Sequence, residues 1–128
     1  MNKQQKAYML AKAAYETALH EQRAAEIEYI TKHGIKNSDG TTPRSIYNIE
    51  DDLICDQAFE ALAEYDTKRY EAFQELTKAE DDLIEYGLSI APASVAETLR
   101  GVKNNLKYRE KLIDLTFRLD TKTVKKGR

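Results

Sequence analysis

The chain has 128 residues, of which 41% are hydrophobic and 33% are charged, and its formal net charge is −2. This length fits one domain with a buried core, and the apolar content excludes an intrinsically disordered chain. Because the chain has only 5 glycines and 2 prolines, its composition favours long helices over a many-stranded sheet.

The small net charge conceals a separation of charge along the chain. Residues 50–85 contain 13 acidic and 3 basic side chains, whereas residues 100–128 contain 10 basic and 3 acidic ones. The single cysteine, Cys55, excludes an intramolecular disulfide, and no apolar run reaches the roughly 18 residues of a membrane span. We therefore expect a cytoplasmic location, where thiols stay reduced, and no contact with a membrane.

The first predicted helix spans residues 3–33. Its apolar and small side chains recur at alternating steps of three and four, which places them along one side of a helix. This stripe consists of Tyr8, Ala11, Tyr15, Ala18, Gln22, Ala25 and Tyr29. Gly34 follows the pattern and can adopt the left-handed conformation that ends many helices, and Asp39-Gly40 indicates a turn.

The second predicted helix spans residues 43–87, with Pro43 in its first turn and Gly87 at its end. Two heptad series run along it and predict coiled-coil-like packing. They consist of Cys55, Leu62, Arg69, Leu76 and Leu83, and of Ala58, Tyr65, Ala72, Ala79 and Tyr86. We expect Phe59 and Phe73 to widen this apolar seam. Arg69 is its charged exception, which marks either a device that sets the register or a place where the seam opens.

The third predicted helix spans residues 92–120, and Ser94 with Glu97 has the spacing of a capping box at its start. A basic flexible tail is expected over residues 122–128. Because the connections between the helices are short, consecutive helices should be antiparallel neighbours. The sequence thus predicts an all-α fold: an antiparallel three-helix bundle with coiled-coil-like packing and a long middle helix, forming a single domain over residues 1–121.

The pentapeptide Glu-Asp-Asp-Leu-Ile occurs twice, beginning at Glu50 and at Glu80. Thirty residues rotate an α-helix by about 120°, so the two copies do not share a face. A carboxylate metal site in a bundle pairs Glu with a His three residues later, and neither His20 nor His33 has that partner. The sequence also lacks a Gly-rich phosphate loop and a nucleophile elbow. We therefore predict no catalytic residue, metal, cofactor or small-molecule substrate, and a protein that is not an enzyme.

Two charged stripes are the candidate binding sites, each on one side of its predicted helix. The acidic ridge, a candidate protein-binding surface, consists of Asp56, Glu60, Glu64, Glu71, Glu75, Asp82 and Glu85. The basic ridge, a candidate surface for nucleic acid or an acidic partner, consists of Arg100, Lys103, Lys107, Lys111, Arg118, Lys122 and Lys125. Lysine and arginine side chains arranged in this way can follow a phosphate backbone, although an exposed helix face commonly carries charge in any case.

These features favour a small, non-catalytic accessory protein that acts by binding protein. The contact is either self-association or a regulatory or inhibitory contact with a partner. One alternative is a nucleic-acid-associated factor that uses the basic ridge and tail. Another is an inhibitor whose acidic ridge occupies the basic groove of a nucleic-acid-binding protein.

Overall fold

The computed structural model describes residues 2–102 and 105–126, without the side chains of residues 102, 106, 107 and 119–126. Within these residues all regular secondary structure is helical and there is no strand, which confirms the predicted all-α class. The described part of the chain also contains one short 3-10 turn, Ile46–Asn48. The described α-helices are α1 (Lys3–Lys32), α2 (Asp52–Ala61), α3 (Ala63–Ile90), α4 (Ala93–Val102) and α5 (Leu106–Lys126).

The first predicted helix agrees with α1 to within one residue, and both of its ends are capped. At the start, the Gln5 N–H donates to Asn2 Oδ1 at 2.8 Å, and the Asn2 N–H donates to Gln5 Oε1 at 3.0 Å. This reciprocal pair is a capping box. At the other end, Gly34 has a φ of 61°, and the Ile35 N–H donates to the Ile30 carbonyl at 3.1 Å. A left-handed glycine with this hydrogen bond is a Schellman motif, as the sequence indicated.

The predicted long middle helix is not found. Residues 43–51 form a loop that contains the 3-10 turn, α2 begins only at Asp52, and Leu62 separates α2 from α3. The third predicted helix is also divided, since α4 ends at Val102 and α5 begins at Leu106. Helix packing is therefore present, but the antiparallel three-helix bundle with a long middle helix is not confirmed. The backbone of α5 is helical to Lys126, past the expected end at residue 120; the single domain over residues 1–121 and the flexible tail stay predictions.

The segment before α2 forms a loop because side chains, rather than helix carbonyls, accept hydrogen bonds from backbone N–H groups there. Ile46 is 2% exposed, and its N–H donates to Oε1 of the buried Glu26 on α1 at 3.0 Å. Asp51 then caps α2, because its Oδ1 accepts a hydrogen bond from the Ile54 N–H at 3.0 Å. The spacing of Pro43, Ile46 and Ile49 resembles a helical stripe, yet these three buried side chains belong to an irregular segment.

The chain divides into two compact units, one of residues 1–12 and 75–128 and the other of residues 13–74. The core of the first unit is formed by α3, α4 and α5, with Tyr8 and Phe117 packed against it. Its buried members are Leu83, Ile84, Leu88, Ala96, Leu112 and Ile113. The buried core of the second unit consists of Ile30, Ile35, Ile46, Ile49 and Ala58. Each unit thus has its own apolar centre.

Gly87 does not end the helix, contrary to the sequence prediction. It is buried inside α3, which continues to Ile90. A Cβ atom added at Gly87 would lie 2.5 Å from Oγ1 of Thr116 on α5. The glycine is therefore needed for the close approach of two helices, and its position near a helix end in the sequence is misleading.

Candidate protein-interaction surface

The acidic ridge predicted from the sequence is exposed at every position, but it is not one helix face. Asp56 and Glu60 lie on α2, and the other five residues lie on α3. The unit of residues 13–74 holds the members from Asp56 to Glu71, and the other unit holds Glu75, Asp82 and Glu85. Within the ridge, Glu64 Oε1 lies 3.2 Å from Lys68 Nζ. An exposed pair of this kind contributes little to stability.

The basic ridge is also divided. Arg100 is exposed on α4, whereas Lys111 and Arg118 are exposed on α5. Lys111 Nζ lies 5.5 Å from the centroid of the Tyr108 ring, within range of a cation–π contact. Lys103 lies outside the described residues, and of Lys107, Lys122 and Lys125 the structure describes the backbone in α5 but not the side chains.

The two Glu-Asp-Asp-Leu-Ile segments have different structural roles. In the first, Asp51 caps α2 and Leu53 is 68% exposed. In the second, Leu83 is fully buried, and Arg109 of α5 binds Glu80 and Asp81. Arg109 Nη2 lies 3.4 Å from Glu80 Oε1 and 2.8 Å from Asp81 Oδ1. The repeated segment is therefore not a repeated site.

Burial of Arg109 opposes its positive charge, but the nearby carboxylates more than compensate. The hydrogen bond and the charge of Asp81, together with Glu80, raise the pKa of Arg109 above its ordinary value. Among the side chains that the structure describes, no three His, Cys, Asp or Glu residues come close enough to hold a metal ion. The ion pairs of Arg109 with Glu80 and Asp81 therefore connect α5 to α3 within the first unit.

Exposed aromatic side chains form a surface on the unit of residues 13–74 that the sequence reasoning missed. The rings of Tyr47 and Phe59 meet edge to face with centroids 5.0 Å apart, and those of Tyr15 and Phe73 lie 5.7 Å apart. Tyr47 is 62% exposed, Phe73 48% and Phe59 36%. The expectation that Phe59 and Phe73 widen an apolar seam is therefore wrong, because both rings are open to solvent.

Arg69 lies within electrostatic range of one tyrosine of each aromatic pair. Its Nη2 atom lies 2.6 Å from Asp66 Oδ1, and this hydrogen bond raises the pKa of Arg69, with smaller contributions from Tyr47 and Tyr15. We call Tyr15, Tyr47, Phe59, Phe73 and Arg69 together the aromatic surface.

The backbone beneath Tyr47 is held from two sides. Glu26 binds the Ile46 N–H, and the Cys55 thiol donates to the Ile46 carbonyl with a sulfur–oxygen distance of 3.3 Å. These contacts anchor the residue next to Tyr47 to both α1 and α2. The ring therefore projects from a fixed turn, although most of its own area is in solvent. The abundance of tyrosine was the available signal for such a surface, but periodicity placed Phe59 and Phe73 in a helix seam and assigned no role to Tyr47.

Two open clefts lie elsewhere on the molecule. One, of about 460 Å³, is in the first unit and is lined by Lys3, Gln4, Ala7, Asp82, Glu85, Tyr86 and Ser89. The other, of about 320 Å³, is in the second unit and is lined by the rings of Tyr29 and His33, which are tilted by 40° with centroids 4.3 Å apart. Small-molecule sites usually enclose most of the ligand, which these open clefts do not do. The aromatic surface is therefore the stronger candidate.

The chain has no match among the models of known protein families, the curated protein sequences or the solved structures that we compared with it. None of the helices described above combines the length and the apolar character that crossing a membrane requires. The interpretation of the aromatic surface therefore depends on its own composition, exposure and geometry.

Proposed function

We propose that this chain is a non-catalytic protein-binding module and that the aromatic surface is the centre of its contact with a partner. The observation that carries the proposal is the presence of two aromatic pairs, in which Tyr47, Phe59 and Phe73 are exposed, with one tyrosine of each pair within electrostatic range of Arg69. Tyrosine, arginine and phenylalanine are enriched in the buried centres of protein interfaces, and tyrosine and arginine among the residues that dominate binding energy.

The exposed rings offer enough area for a useful contact. A Tyr or Phe side chain buries about 150–250 Å² when it is fully covered. With Tyr47 62% exposed and Phe73 48% exposed, each ring leaves on the order of 100 Å² for a partner to cover. At about 25 cal/mol per Å², covering one such ring contributes about 2–3 kcal/mol, which is typical of an interface hot spot.

The backbone under the surface limits the entropy that binding must overcome. Tyr47 follows the anchored Ile46, and each ring has only two side-chain torsions. Surfaces that are already ordered lose less conformational freedom when a partner arrives. Arg69 adds a polar group at the centre, and its bond to Asp66 fixes the guanidinium in place.

Site-specific photocrosslinking in the cells that produce the protein tests this proposal. A photoreactive phenylalanine analogue replaces Tyr47 in one variant and Leu10 in the control, since Leu10 is 73% exposed and lies in the other unit. We expect a discrete protein adduct from position 47 and none of the same mass from position 10. Adding Phe73→Ser should lower the adduct yield at least about tenfold, because losing about 1.4 kcal/mol of binding changes the affinity by that factor.

Equal adducts from positions 47 and 10, or an adduct that Phe73→Ser leaves unchanged, would contradict the proposal. The mass of the adduct also separates the forms that the contact can take. Twice the mass of the chain identifies self-association, a different protein identifies a regulatory or inhibitory partner, and a nuclease-sensitive adduct supports the nucleic-acid alternative instead.

A further inference from the structure

The solvent side of α2 carries apolar and acidic side chains together. Leu53 is 68% exposed and Phe59 is 36% exposed, whereas Ala58, on the opposite side of the helix, is fully buried. Asp52, Asp56 and Glu60 are exposed and lie between Leu53 and Phe59 around the helix. At 100° per residue the five exposed side chains span an arc of about 120°. We call these five residues the α2 face.

The α2 face lies in a stretch of uniform charge. Residues 45–67 contain seven acidic side chains and no basic one. The next two basic residues along the chain, Lys68 and Arg69, are paired with Glu64 and Asp66. Arg44 precedes the stretch and is exposed. The negative charge of the α2 face is therefore largely uncompensated by neighbours in the sequence.

We propose that the α2 face binds a positively charged amphipathic helix of a partner protein. Lysine or arginine side chains of that helix meet Asp52, Asp56 and Glu60, and its apolar side chains cover Leu53 and Phe59. This inference rests on the proposed function, since Phe59 belongs to both surfaces, and it adds the chemistry of the partner. Nucleic acid does not fit, because its phosphates would be repelled by the acidic row.

The spacing of the acidic row matches a helical partner. Asp52, Asp56 and Glu60 follow each other at steps of four residues, which corresponds to a rise of about 6 Å per step. A partner helix with basic residues four positions apart has the same repeat. Leu53 and Phe59 on either side of the row provide apolar area that a partner helix can cover and that a free cation cannot.

A second copy of this chain is the less suitable occupant. Its most basic helix is α5, where Lys111 and Arg118 are exposed. Asp114 is exposed between them, and at 100° per residue it lies within about 60° of both. This carboxylate would face the acidic row of the α2 face at the centre of such a contact, and like charges there are unfavourable.

Fluorescence anisotropy with three labelled peptides tests the inference on the full chain. The first peptide is an amphipathic helix with Lys four residues apart and a Leu stripe, the second replaces its Lys by Glu, and the third keeps Lys but replaces Leu by Gln. We expect the first to bind at least about tenfold more tightly than the other two at 200 mM salt, since that ratio corresponds to about 1.4 kcal/mol. Stronger binding by either of the other peptides would overturn the inference.

Two triple variants with the same change of charge locate the site. D52N/D56N/E60Q neutralises the α2 face, and E71Q/E75Q/D82N neutralises three exposed carboxylates of α3. We expect the first to weaken binding of the Lys-Leu peptide at least about tenfold and the second to stay within about twofold of the unchanged chain. Equal losses would mean that the peptide senses only net charge, which would overturn the inference.

The apolar contribution is tested with Leu53→Ser, a substitution at a side chain that is 68% exposed and outside the buried core. We expect about a fivefold loss of affinity, with a circular dichroism spectrum equal to that of the unchanged chain. Unchanged affinity would overturn the apolar part of the contact and hence the amphipathic partner. Self-association that K111E/R118E abolishes would identify a second copy as the occupant and would also overturn the inference.

The two proposals fail in different ways. If the partner captured from position 47 is bound through a neutral or acidic segment, the protein-binding function stands and the inference of a basic partner helix is wrong. If position 47 captures no protein while the peptide results are as expected, the α2 face binds basic helices but the aromatic surface is not the centre of the contact.

Discussion

Gly87 of α3 and Thr116 of α5 approach so closely that a Cβ atom on Gly87 would lie 2.5 Å from Thr116 Oγ1 and 3.1 Å from its Cγ2. Thr116 is 3% exposed, and its hydroxyl donates to the Leu112 carbonyl at 2.9 Å. Its side chain is therefore held in the core and cannot easily move aside for an added methyl group. This contact lies beside Leu83, Ile84 and Leu88, which makes it part of the packing of the first unit.

We predict that Gly87→Ala lowers the free energy of unfolding by about 1–3 kcal/mol, which is typical of overpacking a core. Urea unfolding followed by circular dichroism measures the change. Gly101→Ala is the matched control, because Gly101 also lies in a helix but has no atom within 4 Å of an added Cβ. Alanine there should raise the stability by about 0.5–1 kcal/mol through helix propensity alone.

The double variant G87A/T116A makes the prediction specific. Removing Oγ1 and Cγ2 of Thr116 makes room for the new methyl group, so the double variant should lose less stability than the two single variants added together. A coupling energy of about 1 kcal/mol or more is expected for groups in direct contact. Strict additivity would show that the steric contact is not the cause.

We predict that Glu26→Ala destabilises the unit of residues 13–74 by about 1–3 kcal/mol, because it leaves the buried Ile46 N–H without an acceptor. Glu26→Gln keeps an oxygen in the same place and should cost less. Amide hydrogen exchange at Ile46, observed by NMR, should accelerate strongly in Glu26→Ala and only slightly in Glu26→Gln. The exposed Glu28 on the same helix provides the control, since Glu28→Ala should leave that amide protected.

Tyr8 makes the stability of the first unit depend on pH in the alkaline range. Burial raises the pKa of Tyr8 above its ordinary value of 10.0, and of the nearby charges Lys12 opposes this rise while Glu80, Glu110 and Asp114 reinforce it. Because the folded chain holds this proton more tightly than the unfolded chain, the contribution to stability is complete below pH 10 and is lost as the pH rises through the folded-state pKa.

We therefore expect Tyr8→Phe to match the unchanged chain near neutral pH, since it keeps the ring that lies 6.2 Å from that of Phe117. Above pH 10 the unchanged chain should lose stability faster than Tyr8→Phe. Urea unfolding at a series of pH values measures both curves, and the difference between them removes the contribution of every other titrating group. Parallel curves up to pH 12 would contradict the assignment.

Local patterns predicted α1 well because its signals lie within the helix and its caps. Gly34, which was predicted to end the helix, lies next to Ile35, whose N–H completes the cap. The loop before α2 could not be predicted in this way, because the acceptor that holds Ile46 is Glu26, twenty residues earlier. A tertiary hydrogen bond thus overrode an apolar spacing that resembled a helix.

The candidate surface was predicted only in part. Charge counts placed Asp56 and Glu60 correctly on an exposed helix side. Phe59 and Phe73 were assigned to the interior because their hydrophobicity and spacing agree with a heptad, and spacing does not show whether a neighbouring helix is present. Gly87 was misread for a related reason, since a glycine that ends a helix and a glycine that admits another helix look alike in a sequence.

Gln22 of α1 and Asp66 and Arg69 of α3 form a polar chain between these two helices in the second unit. Gln22 Nε2 lies 3.5 Å from Asp66 Oδ1, which also accepts the bond from Arg69. Apolar side chains tolerate sliding, but a shift of α1 by one turn would displace Gln22 by about 5.4 Å relative to its acceptor. This chain of amide, carboxylate and guanidinium therefore favours the observed alignment of α1 and α3 over others that apolar contacts alone would permit.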